Sequence, residues 1–403
     1  MNIIILAGNL WNGLASKPLG YTEISVADGK IAEVGQKVSR EKGAEIIDLS
    51  KQFVMPGFID CHVHLTGNNK ILANVMGSND ADMTLAGVDA CKKLLHNGFT
   101  SVRDVGDFSI VSWIVPSLKK AVESGDIEGP RIISGGHMLS AVGGHNDFAG
   151  LLRNGITIEH ESLAEGIDAL KRAVHNEVRH GADWIKFAAS GGFLSPSDGP
   201  EDVSYSRKEM NAIVAAARDV RRPVCVHAYD DISVRRAAEA GVRSVEHGNL
   251  VLEDTLEILE EEGIYVVPTQ YAVVYWARND NPNDPEYVRE KRIKYADKIL
   301  KYARNIAGSN VKVAFGTDLG SFDFSTNGAV EFSEMLHNGI SPLRALKAAT
   351  STAAELLRLN AGSIAAGKFA DIVAMPGNPF EDITQTEKVS FVMKEGKVYC
   401  DGS

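Results

Sequence analysis

Residues 58–65 read FIDCHVHL, an apolar strand-like run that ends with two histidines, His62 and His64. Side chains two positions apart on a strand point to the same face, so both imidazoles can reach one ion. A short apolar run of this kind predicts a buried strand. We therefore expect a strand that ends in a pair of side chains suited to bind a metal.

Seven further strand-like runs follow, and helical segments separate them. A capping box of Ser206 and Glu209 opens one helix, and Ser341-Pro342 opens another that we expect to run from Leu343 to Leu357. Strands that alternate with helices favour a parallel sheet, so the eight units predict an α/β fold, a (β/α)8 TIM barrel. A doubly wound open sheet explains the count less well, and no GxGxxG motif opens the first helix. The seven runs cover residues 100–105, 131–136, 184–189, 223–228, 244–247, 265–269 and 311–317.

The two ends of the sequence differ from the middle. Residues 1–54 contain short strand-like segments and turn signals such as Asp28-Gly29, and residues 361–403 return to this pattern. We expect both ends to form one small β-sandwich domain. The metal-dependent barrel domain, residues 55–360, would be inserted between them.

Composition limits the class of partner and the compartment. The chain has 403 residues and a net charge of −11, which disfavours nucleic acid and anionic membranes as partners. Residues 1–7 lack the basic region of a signal peptide, and no stretch is long enough to span a bilayer. The four cysteines show neither CxxC spacing nor a disulfide framework. We expect a cytoplasmic protein that acts on a small molecule.

Further candidate ligands lie in or just after later strand-like runs. They are Lys186 in the fourth, His227 in the fifth, His247 at the end of the sixth and Asp318 after the eighth. The carboxyl ends of barrel strands converge on one mouth. A lone histidine is more often structural, but this ordered set predicts a metal site.

Lys186 is the unusual member of this set, because a protonated lysine cannot bind a cation. One alternative is a buried lysine paired with an acid. The other is a neutral amine that adds carbon dioxide beside two cations and becomes a bridging carbamate. Burial and cationic neighbours lower the pKa of lysine, which favours the carbamate.

These residues carry a family resemblance. Residues 56–64 (PGFIDCHVH), with the later ligand candidates, resemble the amidohydrolase superfamily, and residues 367–373 (GKFADIV) are similar to its tail motif. Residues 100–104 (TSVRD), 143–147 (GGHND) and 227–229 (HAY) most resemble the branch of Xaa-Pro dipeptidases, or prolidases, and imidazolonepropionase-related proteins. Lys186 argues against a true imidazolonepropionase, which resembles a one-metal subtype.

The resemblance implies a binuclear centre. A hydroxide and carboxylated Lys186 would bridge two divalent ions, and Asp318 would also pass a proton to the leaving nitrogen. Zinc suits these ligands first, with manganese, iron and cobalt open. The implied ligands are His62, His64 and Asp318 for the first metal, and His227 and His247 for the second.

The same resemblance implies hydrolysis of the amide bond in dipeptides, with proline or another C-terminal residue, or in N-acyl amino acids. Alternatives are a cyclic amide, a lactone or deamination of a heterocycle. A non-catalytic scaffold is a third reading, which the intact ligand set disfavours. Relatives often assemble, so we expect a homo-oligomer.

Two residues outside the ligand set are catalytic candidates. His145 lies in a glycine-flanked loop, where it could donate to the oxyanion or to a substrate carboxylate. Tyr229 shares a strand face with His227, so its hydroxyl could meet the same substrate. The alternatives are a loop-capping histidine and a packing tyrosine. We expect Arg103 and Asp104 to form a buried ion pair or to hydrogen-bond the ligands.

Two long loops should determine specificity, at residues 66–82 and 271–285. The second loop begins YAVVYW, which predicts either an apolar side-chain pocket or a packing contact.

Overall fold

The computed structural model describes residues 2–67, 78–109, 112–147, 160–279 and 284–402. Parts of both long loops lie outside these residues. The strands are β1 (Ile3–Leu10), β2 (Thr22–Ala27), β3 (Lys30–Gly35), β4 (Glu45–Pro56), β5 (Phe58–Val63), β6 (Phe99–Asp104), β7 (Arg131–Ser134), β8 (Met138–Leu139), β9 (Ile185–Ala188), β10 (Val224–Asp230), β11 (Ser244–Leu250), β12 (Tyr265–Val267), β13 (Lys312–Val313), β14 (Ile372–Met375), β15 (Phe391–Lys394) and β16 (Lys397–Asp401).

Helices separate the central strands and follow them. They are α1 (Asp80–His96), α2 (Ile114–Ser124), α3 (Ile167–Arg179), α4 (Arg207–Asp219), α5 (Asp231–Ala240), α6 (Glu253–Glu261), α7 (Trp276–Arg278), α8 (Glu286–Gly308), α9 (Val330–His337), α10 (Pro342–Ala348) and α11 (Ser351–Leu357), with a π-helix at Tyr271–Tyr275 and a 3-10 helix at Ile383–Lys388. Within the described ranges, no helix is both long and apolar enough to cross a bilayer.

Strands from both ends of the chain share one seven-stranded sheet, in the order β16-β15-β14-β4-β1-β2-β3. β14 pairs antiparallel with residues 53–56 of β4, which joins the late strands to the early ones. A buried apolar cluster that includes Ile5, Ile24 and Phe391 packs along this sheet. The described strands here form a single sheet, so the two-sheet sandwich and the domain boundaries stay predictions.

The middle of the chain forms two parallel sheets, β13-β12-β11-β10-β9-β8 and β5-β6-β7. Every residue of β5, β10 and β11 is buried, as expected for strands that are covered on both faces. All eight predicted runs contain a strand, and β8 is an additional short one. The prediction of an α/β fold with parallel sheets is therefore confirmed.

The two parallel sheets are not one continuous sheet in the described residues, so the closed barrel stays a prediction. Backbone hydrogen bonds nevertheless connect their edges. On one side the Asp318 amide donates to the His62 carbonyl (2.8 Å) and the His64 amide to Leu319 (2.7 Å). On the other side the Trp184 amide donates to the Ser134 carbonyl (3.1 Å). These bonds bring the predicted ligands of distant strands together.

One predicted helix is divided in the structure. The run from Leu343 to Leu357 forms α10 and α11, because Thr350 leaves the helical conformation with φ −134° and ψ −98°. The carbonyls of Ala348 and Ala349 accept hydrogen bonds from the amides of Phe315 and Ile59 (3.0 and 2.8 Å). These two carbonyls thus accept from Phe315, which follows β13, and from Ile59 in β5, and not from amides of the helix itself.

Candidate functional site

The six predicted ligands line one cavity at the carboxyl-end side of the parallel strands. The cavity also receives both residues predicted to assist catalysis. The shared lining consists of His62, His64, Lys186, His227, His247, Asp318, His145 and Tyr229.

His62, His64 and Asp318 form the tightest group in the cavity. One Asp318 carboxylate oxygen, Oδ1, lies 3.5 Å from His62 Nε2 and 3.3 Å from His64 Nε2. One ligand atom from each of the three residues lies within 4.8 Å of the others. Two imidazole nitrogens and a carboxylate at this spacing suit a divalent cation.

Glu246 fixes the orientation of His62, although no sequence pattern predicted this role. Its carboxylate accepts from His62 Nδ1 (2.8 Å), from Arg103 Nη2 (2.7 Å) and from the Ser244 hydroxyl (2.6 Å). Arg103 is fully buried, and its guanidinium lies 4.6 Å from the centre of the Trp184 ring. With Nδ1 held by a carboxylate, Nε2 of His62 faces the cavity.

Asp104 plays a matching part for His64. Its carboxylate accepts from the backbone amides of Leu65 (2.6 Å) and Gly106 (3.0 Å). The Gly106 carbonyl in turn lies 2.9 Å from His64 Nδ1. Arg103 therefore forms a buried ion pair with Glu246 and not with Asp104, whereas Asp104 accepts hydrogen bonds from the loop that holds His64.

His227 and His247 form a second group beside the first. Their ring centres are 4.7 Å apart, and the His247 ring lies 5.0 Å from that of His62. The Thr269 hydroxyl lies 2.7 Å from His247 Nδ1, and the Gly191 carbonyl lies 3.2 Å from His227 Nε2. These hydrogen bonds leave His247 Nε2 and His227 Nδ1 available to bind a metal ion.

Lys186 is a buried amine between charged neighbours. Within the described part of the chain it has neither an ion pair nor a hydrogen bond from its side chain. Burial lowers the pKa of its amine, against the raising effect of Glu246. The alternative of a lysine salt-bridged to an acid therefore lacks a partner among these residues.

Burial also controls the charge of the histidines. It lowers the pKa of His62 and of His227 well below the ordinary value, and that of His247 to about 3. Burial acts in the same direction on His64, but the hydrogen bond and charge of Asp318 outweigh it and raise the pKa. Burial would raise the pKa of Asp318, whereas the neighbouring histidines lower it.

The backbone around the site is strained. His247 and Asp318 have φ of 73° and 63°, in the left-handed region that most side chains avoid. At Gly320, with φ of 106°, a Cβ would lie 2.1 Å from the His64 carbonyl oxygen. The positions of the candidate ligands therefore depend on strained backbone conformations, which the surrounding structure stabilises.

His145 and Tyr229 each stack on a predicted ligand. The His145 ring lies 3.9 Å from that of His227 at an angle of 12°, and Tyr229 lies 4.8 Å from His247 at 16°. Ser195 Oγ is 3.1 Å from His145 Nδ1. A Cβ on Gly192 would come within 2.4 Å of the His145 ring, so the glycine permits this approach.

One part of the cavity wall is apolar. Val273 and Trp276 of the predicted aromatic segment line it, together with Phe193. Tyr271 instead stacks on Tyr275, with 4.7 Å between ring centres. The segment therefore supplies both a pocket wall and a packing contact.

An ion pair of Arg292 and Asp284 also lines the cavity. Its guanidinium lies 5.9 Å from the centre of the Trp276 ring. This pair was not predicted from the sequence, because neither residue follows a strand.

Comparison with known proteins places this chain in a family. A sequence model of the amidohydrolase family matches residues 53–399. The ochratoxinase of Aspergillus niger is 29% identical over 98% of this chain and 86% of its own length. A solved Xaa-Pro dipeptidase with methionine bound in its active site has a TM-score of 0.89 and 33% identity, over 99% of this chain and 100% of that one. A prolidase complexed with N-methylphosphonate-L-proline has a TM-score of 0.88 and 31% identity over the whole of both chains.

These matches confirm the resemblance found in the sequence. The family generally uses divalent metals, and the group of His62, His64 and Asp318 is a possible site for one. The matched proteins include hydrolases of amide carbon–nitrogen bonds. The chain therefore belongs to the amidohydrolase family, as an amide hydrolase of its prolidase-related branch.

Proposed function

We propose that this hydrolase uses two divalent cations to cleave the amide bond of dipeptides or N-acyl amino acids. The observation that carries the proposal is the pair of adjacent ligand groups with a buried, unpaired lysine beside both. Lys186 lines the same cavity as both ligand groups, and within the described residues its side chain has neither an ion pair nor a hydrogen bond. The amide substrates of the similar dipeptidase and prolidase support the substrate class.

The donor set fits two metal ions. His62, His64 and Asp318 would hold one, and His227 with His247 would hold the other. Lys186, as a carbamate formed with carbon dioxide, would contact both. Zinc is the first choice for imidazole and carboxylate donors. Bound divalent cations would supply hydroxide near neutral pH and polarise the scissile carbonyl.

The protein's own side chains would handle protons and position the substrate. Asp318 would hold the proton released by the nucleophile and deliver it to the leaving nitrogen. His145 and Tyr229, stacked on His227 and His247, would donate to the carbonyl oxygen or to the substrate carboxylate. The apolar wall around Trp276 would receive a neutral side chain.

The proposal includes the architecture that supports the site. The two parallel sheets would form the wall of a (β/α)8 barrel, residues 55–360. Residues 1–54 with 361–403 would form the β domain. A homo-oligomer and a cytoplasmic location stay predictions from the sequence.

A substrate panel tests this function. Zinc-loaded protein is incubated with Xaa-Pro dipeptides, other dipeptides and N-acyl amino acids, and released amino acids are detected with ninhydrin. We expect release from a narrow set. The matched control is Asp318→Asn, which should retain metal and lose turnover by roughly 10²–10⁴-fold. No release by protein with two bound metals would instead favour cyclic amides, lactones or deamination, and near-normal turnover in the variant would remove Asp318 from proton transfer.

A further inference from the structure

A second pocket lies at the amino-terminal ends of the parallel strands, away from the metal-binding cavity. Its lining residues include the start of β10 and the residues just before β11 and β12. It has a volume of about 380 Å³ and shares no described lining residue with the catalytic cavity. Five arginines surround it, namely Arg218, Arg221, Arg222, Arg243 and Arg358.

The charge of this five-arginine pocket is unbalanced. Glu262 is the single acid among its described lining residues. None of the five guanidinium groups forms an ion pair within the ranges that the structure describes. Such a concentration of unpaired positive charge contrasts with the net charge of −11 for the whole chain.

Two of these guanidinium groups are fixed in place without being neutralised. Arg243 donates to the carbonyls of Leu356 and Glu355 (both 2.8 Å), and Arg222 donates to Ala182 (3.0 Å). A backbone carbonyl satisfies hydrogen bonds but carries no net charge. Burial lowers the pKa of Arg243 and the charge of Arg358 lowers it further, whereas Tyr265 and Glu355 act in the opposite direction. Arg243 and Arg358 therefore repel each other. A bound anion would relieve that repulsion.

Two other arginines occupy backbone positions that favour glycine. Arg221 and Arg358 have φ of 58° and 55°, and Arg358 is the left-handed residue that ends α11. A side chain at such positions costs conformational free energy. Arg221 and Arg358 therefore add positive charge to the pocket at two positions where glycine would have less backbone strain.

We propose that the five-arginine pocket binds a small molecule that carries a phosphate group. Planar guanidinium groups match phosphate oxygens with paired hydrogen bonds. A compact anion fits a pocket of about 380 Å³, whereas an extended polyanion would also meet the acidic residues that give the chain its net charge of −11. The site is separate from the proposed amide hydrolysis and does not depend on it.

Isothermal titration of the metal-loaded protein with inorganic phosphate and with pyrophosphate, at constant ionic strength, tests the proposal. The decisive variant is Arg221→Gly/Arg358→Gly, which removes two charges and relieves backbone strain. We expect it to melt no lower than the wild type, yet to bind both anions at least tenfold more weakly, which is a loss of at least about 1.4 kcal/mol. Pyrophosphate could also remove active-site metal, but this would occur equally in the wild type and the variant, so it would not change the difference between them.

The matched control is Arg172→Gln/Arg207→Gln, which removes two exposed charges outside the pocket. It should bind phosphate as the wild type does. An equal loss of binding in the control and the glycine variant would show a diffuse charge effect and overturn the proposal. Absence of phosphate and pyrophosphate binding by the wild type would overturn it as well.

Discussion

Replacing Glu246 with glutamine should damage both the fold and the metal centre. The carboxylate lies between two buried donors, His62 Nδ1 and Arg103 Nη2, at 2.8 and 2.7 Å. An amide presents one oxygen and one NH₂ group, so it can accept on only one of these sides. Either Arg103 loses its acceptor, or His62 must reverse the nitrogen that carries its proton.

The magnitude follows from burial. Arg103 and Glu246 are both fully buried, so Glu246→Gln leaves a cation without a counter-charge. Breaking a buried pair in this way costs about 3–5 kcal/mol. Loss of the carboxylate that orients His62 should weaken metal binding roughly 10–100-fold.

Two measurements separate these effects. Denaturant midpoints of metal-free protein report the fold, and competition with a chromogenic chelator reports metal affinity. The matched variant Arg103→Met/Glu246→Gln removes both charges, so it should regain most of the stability while metal affinity stays low. If the unfolding free energy of Glu246→Gln alone lay within about 1 kcal/mol of the wild-type value, the electrostatic reasoning would be refuted. Full recovery of metal affinity in the double variant would refute the role of Glu246 in orienting His62.

Three further changes probe other parts of the molecule. Lys186→Ala should lower metal occupancy below two per chain by elemental analysis, and two tightly held ions would contradict the carbamate. Gly320→Ala should cost roughly 2 kcal/mol or more by denaturant midpoint, because its Cβ would lie 2.1 Å from the His64 carbonyl oxygen at a φ of 106°; an unchanged midpoint would show that the backbone there adapts. Burial acts to lower the pKa of His137, but its hydrogen bond to Glu177 (3.1 Å) outweighs burial and raises it above 6.5. The stabilising contribution of protonated His137 is therefore complete below pH 6.5 and is lost as pH rises through the higher folded-state pKa. The difference in melting temperature between the wild type and His137→Gln should narrow from pH 6 to pH 9. A constant difference would contradict this reasoning.

The strands and the six candidate ligands could be predicted because their signals are local. Short apolar runs mark strands that are buried on both faces. A histidine or aspartate at the end of such a run is unusual enough to indicate a function. His145 and Tyr229 could be predicted from a resemblance to known motifs, together with a glycine-flanked loop and the two-residue repeat of a strand.

Other features depend on contacts between distant parts of the chain. Glu246 meets Arg103 across 143 positions, and nothing near either residue specifies the partner. A charged residue inside the buried run of β11 was nevertheless an available signal. The division between α10 and α11 depends on the carbonyls to which the Ile59 and Phe315 amides donate. The residues next to Ile59 and Phe315 in the sequence do not determine this choice.

The shared terminal sheet imposes an order on synthesis. Residues 53–56 of β4 receive their antiparallel neighbour only when β14 has been made, after the 315 residues between Pro56 and Ile372. At about 5–20 residues per second, a ribosome needs roughly 15–60 s for that interval. Throughout this time the growing chain carries an apolar strand edge open to pairing with other chains. Slower translation of the middle segment should therefore increase aggregation of this protein during synthesis, before any mature enzyme exists.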